Sequence, residues 1–129
     1  MSFLKSLNRR MERDHVSRKA LIEYSDKSFI TDIEDLNEDL WRAIATSTCK
    51  QYSLEIVNNG EVSLEFIVKL FIKIGFSCED AVRLMMRIHK NENIILAIAE
   101  EATLLRLQEY INTQARAHNC KLENRVIKI

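Results

Sequence analysis

The residues with the greatest potential for chemistry in this chain are three cysteines and three histidines, scattered along the sequence. They form no Cys-x-x-Cys pair and none of the close His and Cys spacings that zinc sites need. The sequence also has no Ser-His-Asp or Cys-His arrangement and no glycine-rich phosphate loop. We therefore predict a protein that is not an enzyme and that holds no metal or other cofactor.

Two polar positions have side chains suited to binding. Asn58, Asn59 and Gly60 form a predicted turn after an alternating segment, and an asparagine oxygen can accept a hydrogen bond. His89 stands at the end of a predicted helix, where a neutral imidazole can accept another. Each also has a structural interpretation. Asn58 can bond to its own backbone, and His89 can lie near the negative end of the helix dipole.

Composition limits the class of protein. The chain has 129 residues, 47% of them hydrophobic, which suits one folded domain with room for an extension. Its formal net charge is zero, so we expect no binding to nucleic acid. No apolar run approaches the ~20 residues of a membrane span, and we see no secretory signal. Unpaired cysteines favour a reducing, cytoplasmic location.

Residues 1–50 are expected to form a helical N-terminal extension. Apolar residues recur at helical spacing over residues 3–24, among basic side chains typical of a solvated face. Thr31 and Glu34 predict a capping box that opens a second helix. Five residues form the apolar face of that helix, and they should pack on the core with Trp41 at least half buried: Ile33, Leu36, Leu40, Trp41 and Ile44.

Residues 51–129 are expected to form the main domain. The hydrophobic period changes from helical to alternating at Tyr52, and serines stand where two later helices would begin. The predicted class is α+β, with a three-stranded antiparallel sheet packed on helices in the order β-α-α-β-α-β. The predicted elements are a strand over 52–57, helices capped by Ser63 and Ser77, a strand over 93–98, a helix over 100–118, and a strand over 121–128.

This order of elements, over roughly residues 51–127, resembles the ClpS family of adaptors for the Clp AAA+ protease. The family pattern is a strand, an Asn-Asp-Asp turn, a helix opening near Glu-Phe, and a later Leu-Met-x-x-Val-His. The chain departs from it at the turn, where Asn59 and Gly60 replace the two aspartates. It retains six residues of the pattern: Asn58, Glu65, Phe66, Leu84, Met85 and His89.

The resemblance implies a site for a substrate's free N-terminus and a surface for the unfoldase. Candidates for binding the α-ammonium group are Asn58, Asn59, Glu61 and His89. Candidates for lining an apolar slot for the first side chain, all of which also fit a plain hydrophobic core, are Val62, Leu64, Ile67, Met85, Ile88 and Leu122. Candidates for docking on the N-domain of a Clp unfoldase are Glu100, Glu101 and Arg106.

Two functions remain open from the sequence. The first is a non-catalytic ClpS-like adaptor that binds N-degron substrates and a Clp AAA+ unfoldase. The second is a divergent ClpS-like interaction module that binds or inhibits one specific partner protein, for example as an immunity protein. Gly60 supplies no carboxylate for an ammonium, which favours the second function, whereas the retained Asn58 and His89 favour the first.

Overall fold

The computed structural model of the chain describes residues 32–57 and 62–129. The helix predicted over residues 3–24, Thr31, and the turn residues Asn58, Asn59, Gly60 and Glu61 lie outside these ranges. The described residues form four helices and three strands. In chain order they are α1 (Glu38–Thr46), β1 (Tyr52–Ile56), α2 (Leu64–Ile74), α3 (Cys78–His89), β2 (Ile94–Ala99), α4 (Glu101–Ala117) and β3 (Asn124–Lys128).

The three strands form one antiparallel sheet with β1 in the centre and β2 and β3 at the edges. The predicted α+β class and three-stranded antiparallel sheet are therefore confirmed. The pairing of β1 with β2 shifts between Leu54 and Glu55, which places an irregularity at Leu96. As a result Ile95 and Ile98, three residues apart, both point away from the core and are exposed.

Both predicted serine caps are confirmed. The Ser63 hydroxyl accepts a hydrogen bond from the backbone N–H of Phe66, and Ser77 accepts one from Asp80. Helix α2 ends at Ile74, and the next residue, Gly75, has a φ of +130°, in the region that glycine favours. The N–H of Phe76 then bonds to the carbonyl of Phe71, and the two rings lie 5.9 Å apart. These caps fix where α2 and α3 begin and how the chain turns between them.

The helix expected to follow Thr31 begins later than predicted. Residues 33–37 are not helical, and α1 starts at Glu38, where the Asn37 side chain accepts hydrogen bonds from Asp39 and Leu40 N–H groups at 2.8 and 3.3 Å. The backbone N–H of Glu34 is taken up by α4 instead, through Gln114 Oε1 at 3.2 Å. A tertiary contact thus occupies the Glu34 N–H that the predicted capping box would use.

The hydrophobic core lies between one face of the sheet and the helices. Helix α4 packs across all three strands, α1 packs against α4 and β2, and α2 packs against α3. Ile33, Leu36 and Leu40 join this core although only the last is helical. Trp41 is 46% exposed, so slightly more than half is covered, as expected. Its indole lies over Gly75, at the end of α2.

Candidate functional site

Three segments that carry predicted site residues converge at one end of the sheet. Ile56, the last residue of β1, is paired with Ile94 at the start of β2 and with Asn124 at the start of β3. The next residue, Val57, donates its backbone N–H to the carbonyl of Glu123 at 2.9 Å. The chain therefore leaves β1 towards the predicted turn at the same place where it arrives from α3 and α4.

His89 is the last residue of α3 and is exposed. The helix ends there because Lys90 N–H bonds back to the carbonyls of Met86 and Arg87, and Asn91 adopts a φ of +67°. No hydrogen bond of the His89 ring is formed within the described residues. The exposed imidazole can therefore accept a hydrogen bond from a ligand.

The residues predicted to line an apolar slot fall into two groups. Ile67 and Met85 have no exposed surface, while Ile88 and Leu122 are each 4% exposed. All four belong to the continuous core, which is the alternative interpretation of their spacing. Val62 and Leu64 are half-buried beside it. Of the six candidates, only Val62 and Leu64 therefore keep appreciable exposed surface.

The predicted unfoldase-docking residues lie at the start of α4. Glu100 precedes the helix without a side-chain cap, and Glu101 and Arg106 stand on its exposed side. Leu105 is 48% exposed between them, a residue that the sequence analysis did not single out. Leu104 and Leu107 are completely buried, as predicted, so Leu105 is the leucine that falls outside the apolar stripe. This position off the apolar stripe is the sequence feature that could have indicated the exposure of Leu105.

A cluster of charges that the sequence did not indicate ties residues 32–35 to α2. Lys69 is 9% exposed, and its Nζ lies 3.0 Å from Asp32 Oδ2 and 3.3 Å from Glu65 Oε1. Lys73 forms a second ion pair with this segment, with its Nζ 2.7 Å from Asp35 Oδ1. A buried lysine is stable only when carboxylates replace its water, so these ion pairs hold the segment in place.

The same cluster includes His118, from the end of α4. Its Nε2 lies 3.7 Å from Asp32 Oδ2, and its ring centroid lies 5.3 Å from that of Phe66. Burial alone would raise the pKa of Asp32, but the hydrogen bond and positive charge of Lys69, with smaller contributions from the Asp32 backbone and His118, lower it below its ordinary value. A shallow cavity of about 170 Å³ opens beside these residues.

Tyr110 and Gln114, one turn apart on α4, both form hydrogen bonds with the backbone of Glu34. The Tyr110 hydroxyl donates to the Glu34 carbonyl at 2.6 Å. Burial, together with the charges of Asp35 and Glu34, raises the pKa of Tyr110 above its ordinary value, so the hydroxyl stays a donor. We therefore interpret the charged cluster as structural, because its ion pairs and these hydrogen bonds hold residues 32–37 against α2 and α4.

The cysteines add no further site. Cys49 is exposed, Cys78 and Cys120 are half-buried, and none forms a disulfide. Over residues 32–57 and 62–129, no three His, Cys, Asp or Glu side chains come together as a possible metal-binding group. Across the same residues, no helix has the length and apolar character required to cross a membrane.

Comparison of the chain with protein-family models and with curated proteins gives no match.

Proposed function

We propose that this chain is a non-catalytic adaptor of the ClpS type, which binds the N-terminus of a protein substrate and presents it to a Clp AAA+ unfoldase in the cytoplasm. The observation that carries the proposal is the convergence at one end of the sheet. At that end the chain leaves β1 towards Asn58, enters β2 from the loop that follows His89, and enters β3 from the loop that follows Leu122. These are the segments on which the ClpS resemblance places the ligand.

The element order supports the same assignment. From β1 onward the described residues follow the order β-α-α-β-α-β of the ClpS core. At the start of α4, Glu101, Leu105 and Arg106 provide an exposed surface with an acidic, an apolar and a basic side chain. A surface of mixed chemistry with one apolar anchor suits docking on another protein. We assign this surface to the unfoldase.

A second candidate function is an interaction module that binds one specific partner without delivering N-degrons. It is favoured by the complete burial of Ile67 and Met85 in the core, which leaves them without the free surface that a slot requires. It is also favoured by Gly60, which has no carboxylate to offer an ammonium group. An ammonium removed from water needs acceptors and a counter-charge.

Calorimetric titration with a peptide that begins with Phe distinguishes the two functions. Because a hydrogen bond to a charged group is worth about 1.5–3 kcal/mol, we expect weak binding by the unmodified chain and binding about ten- to a hundredfold tighter after Gly60→Asp. His89→Ala should weaken the binding of the Gly60→Asp chain. Arg83→Ala, at an exposed position earlier in α3, is the matched control and should not.

An N-acetylated version of the peptide tests whether the ammonium is recognised, since acetylation removes its charge. An adaptor should prefer the free N-terminus. If the unmodified chain does not bind the free N-terminal peptide, or if His89→Ala behaves like Arg83→Ala, the adaptor proposal fails and the interaction module is favoured.

A further inference from the structure

The two edge strands of the sheet differ in chemistry. β3 carries Arg125 and Lys128, charges of the kind that discourage edge-to-edge pairing. β2 has the sequence Ile-Ile-Leu-Ala-Ile-Ala, with no charged residue and no proline. Within the described part of the chain, β2 pairs only with β1, and no other backbone hydrogen bond reaches it. Its outer edge therefore presents unpaired peptide groups beside apolar side chains.

The side chains of β2 are arranged so that the strand can pair with a copy of itself. In an antiparallel pair centred between Leu96 and Ala97, Ile95 of one copy lies opposite Ile98 of the other, and Ile94 lies opposite Ala99. Ile95 and Ile98 are 56% and 39% exposed, whereas Ile94 and Ala99 are buried. Exposed residues thus meet exposed ones and buried residues meet buried ones, which is what a twofold interface requires.

The charges flanking β2 are complementary under the same symmetry. Arg87 and Lys90 precede the strand, and Glu100 and Glu101 follow it. Glu92 also precedes it, but its carboxylate lies 3.7 Å from Arg87 Nε. In this register Glu101 of one copy lies opposite Glu92 of the other, and Glu100 lies opposite Asn93. The segment that the two glutamates face also carries Arg87 and Lys90, whose two positive charges exceed the single negative charge of Glu92. This arrangement would occur twice in the dimer.

We propose that β2 is a homodimerisation edge, at which two copies of this chain join their sheets into one of six strands. Main-chain hydrogen bonds between the two β2 strands provide the affinity. The pairs formed by Ile95 and Ile98 fix the register on the outer face. The end of the sheet with His89 lies beside this interface, so each dimer carries two such ends.

Sedimentation equilibrium of the full chain tests the proposal. We expect a mass twice the 15.1 kDa of one chain. In Ile95→Lys with Ile98→Lys, each lysine faces a lysine of the partner, and we expect dimerisation to weaken by about a hundredfold or more. Ile127→Lys is the matched control. Ile127 is 38% exposed and, like Ile98, lies opposite Ser53, but on the β3 edge.

A charge-complementation experiment separates loss of pairing from loss of folding. The double variant Ile95→Glu with Ile98→Glu should also be monomeric, whereas an equal mixture of the two double variants should form heterodimers through Lys–Glu pairs. The proposal is overturned if the unmodified chain is monomeric at about 100 µM, a concentration at which even a weak dimer is populated. It is also overturned if Ile127→Lys dissociates the dimer as strongly as the β2 variants, or if the mixture stays monomeric.

Discussion

The two faces of the sheet carry similar side chains in very different surroundings. On the face towards the helices, Leu54 and Ile56 of the central strand are completely buried. On the outer face, Ile95, Ile98 and Ile127 are 56%, 39% and 38% exposed. The inner face supplies stability, because burial of apolar area drives folding. The isoleucines of the outer face contribute less to the single chain and remain available for contact with other molecules.

The largest expected effect comes from an inner-face truncation. Leu54→Ala should lower the free energy of unfolding by about 2–5 kcal/mol, because it removes a buried side chain and leaves a cavity. Ile127→Ala, on the outer face, should cost less than about 1 kcal/mol. Urea unfolding at neutral pH measures both. Equal losses at the two positions would mean that the outer face is part of the core, and the contrast between the faces would disappear.

A smaller effect should follow from changing the contact of α1 with the helix layer. In Gly75→Ala the new Cβ would meet the Trp41 indole, with Cδ1 only 2.9 Å away, at a backbone φ that alanine rarely adopts. We expect a loss of roughly 1–3 kcal/mol in the free energy of unfolding. In a Trp41→Ala background the steric part vanishes, so the same change should cost less. An equal cost in both backgrounds would show that backbone strain at position 75, and not the contact with Trp41, causes the loss.

The smallest effect concerns the segment that ties α1 to α2 and α4. Asp32→Asn removes the carboxylate from Lys69 and should cost below about 1 kcal/mol at pH 7, because Asp32 is half exposed and its ion pair is screened. The folded-state pKa of Asp32 is lowered, so its stabilisation is present above the unfolded pKa and is lost as pH falls through the folded pKa.

The unfolding free energies of the original chain and of Asp32→Asn should therefore differ at pH 7 and converge in acid. Urea titrations at a series of pH values between neutral and strongly acidic conditions measure this difference. A difference that stays constant to the lowest pH would show that the Asp32 charge is not its source.

Local signals in the sequence determined the elements. The change of hydrophobic period at Tyr52, the caps at Ser63 and Ser77, and Gly75 after α2 act within a few residues of themselves. They were therefore sufficient to predict the α+β class and the three-stranded sheet. The exact strand ends were less well predicted, since β3 begins at Asn124 rather than near residue 121. The N-terminal helix and the turn at Asn58 remain predictions, because they lie outside the described residues.

Only the tertiary structure decided which apolar residues are buried and what holds residues 32–37. Simple alternation from Ile94 would bury Ile98 and expose Ala99, but an irregularity in the pairing with β1 reverses this, and the β2 sequence alone does not reveal it. Lys69 pairs with Glu65, four positions before it, but its second counter-charge comes from Asp32, thirty-seven positions away, which only the fold brings near. Caps and periodicity are encoded by near neighbours, whereas burial and ion pairing depend on residues that become neighbours only when the chain has folded.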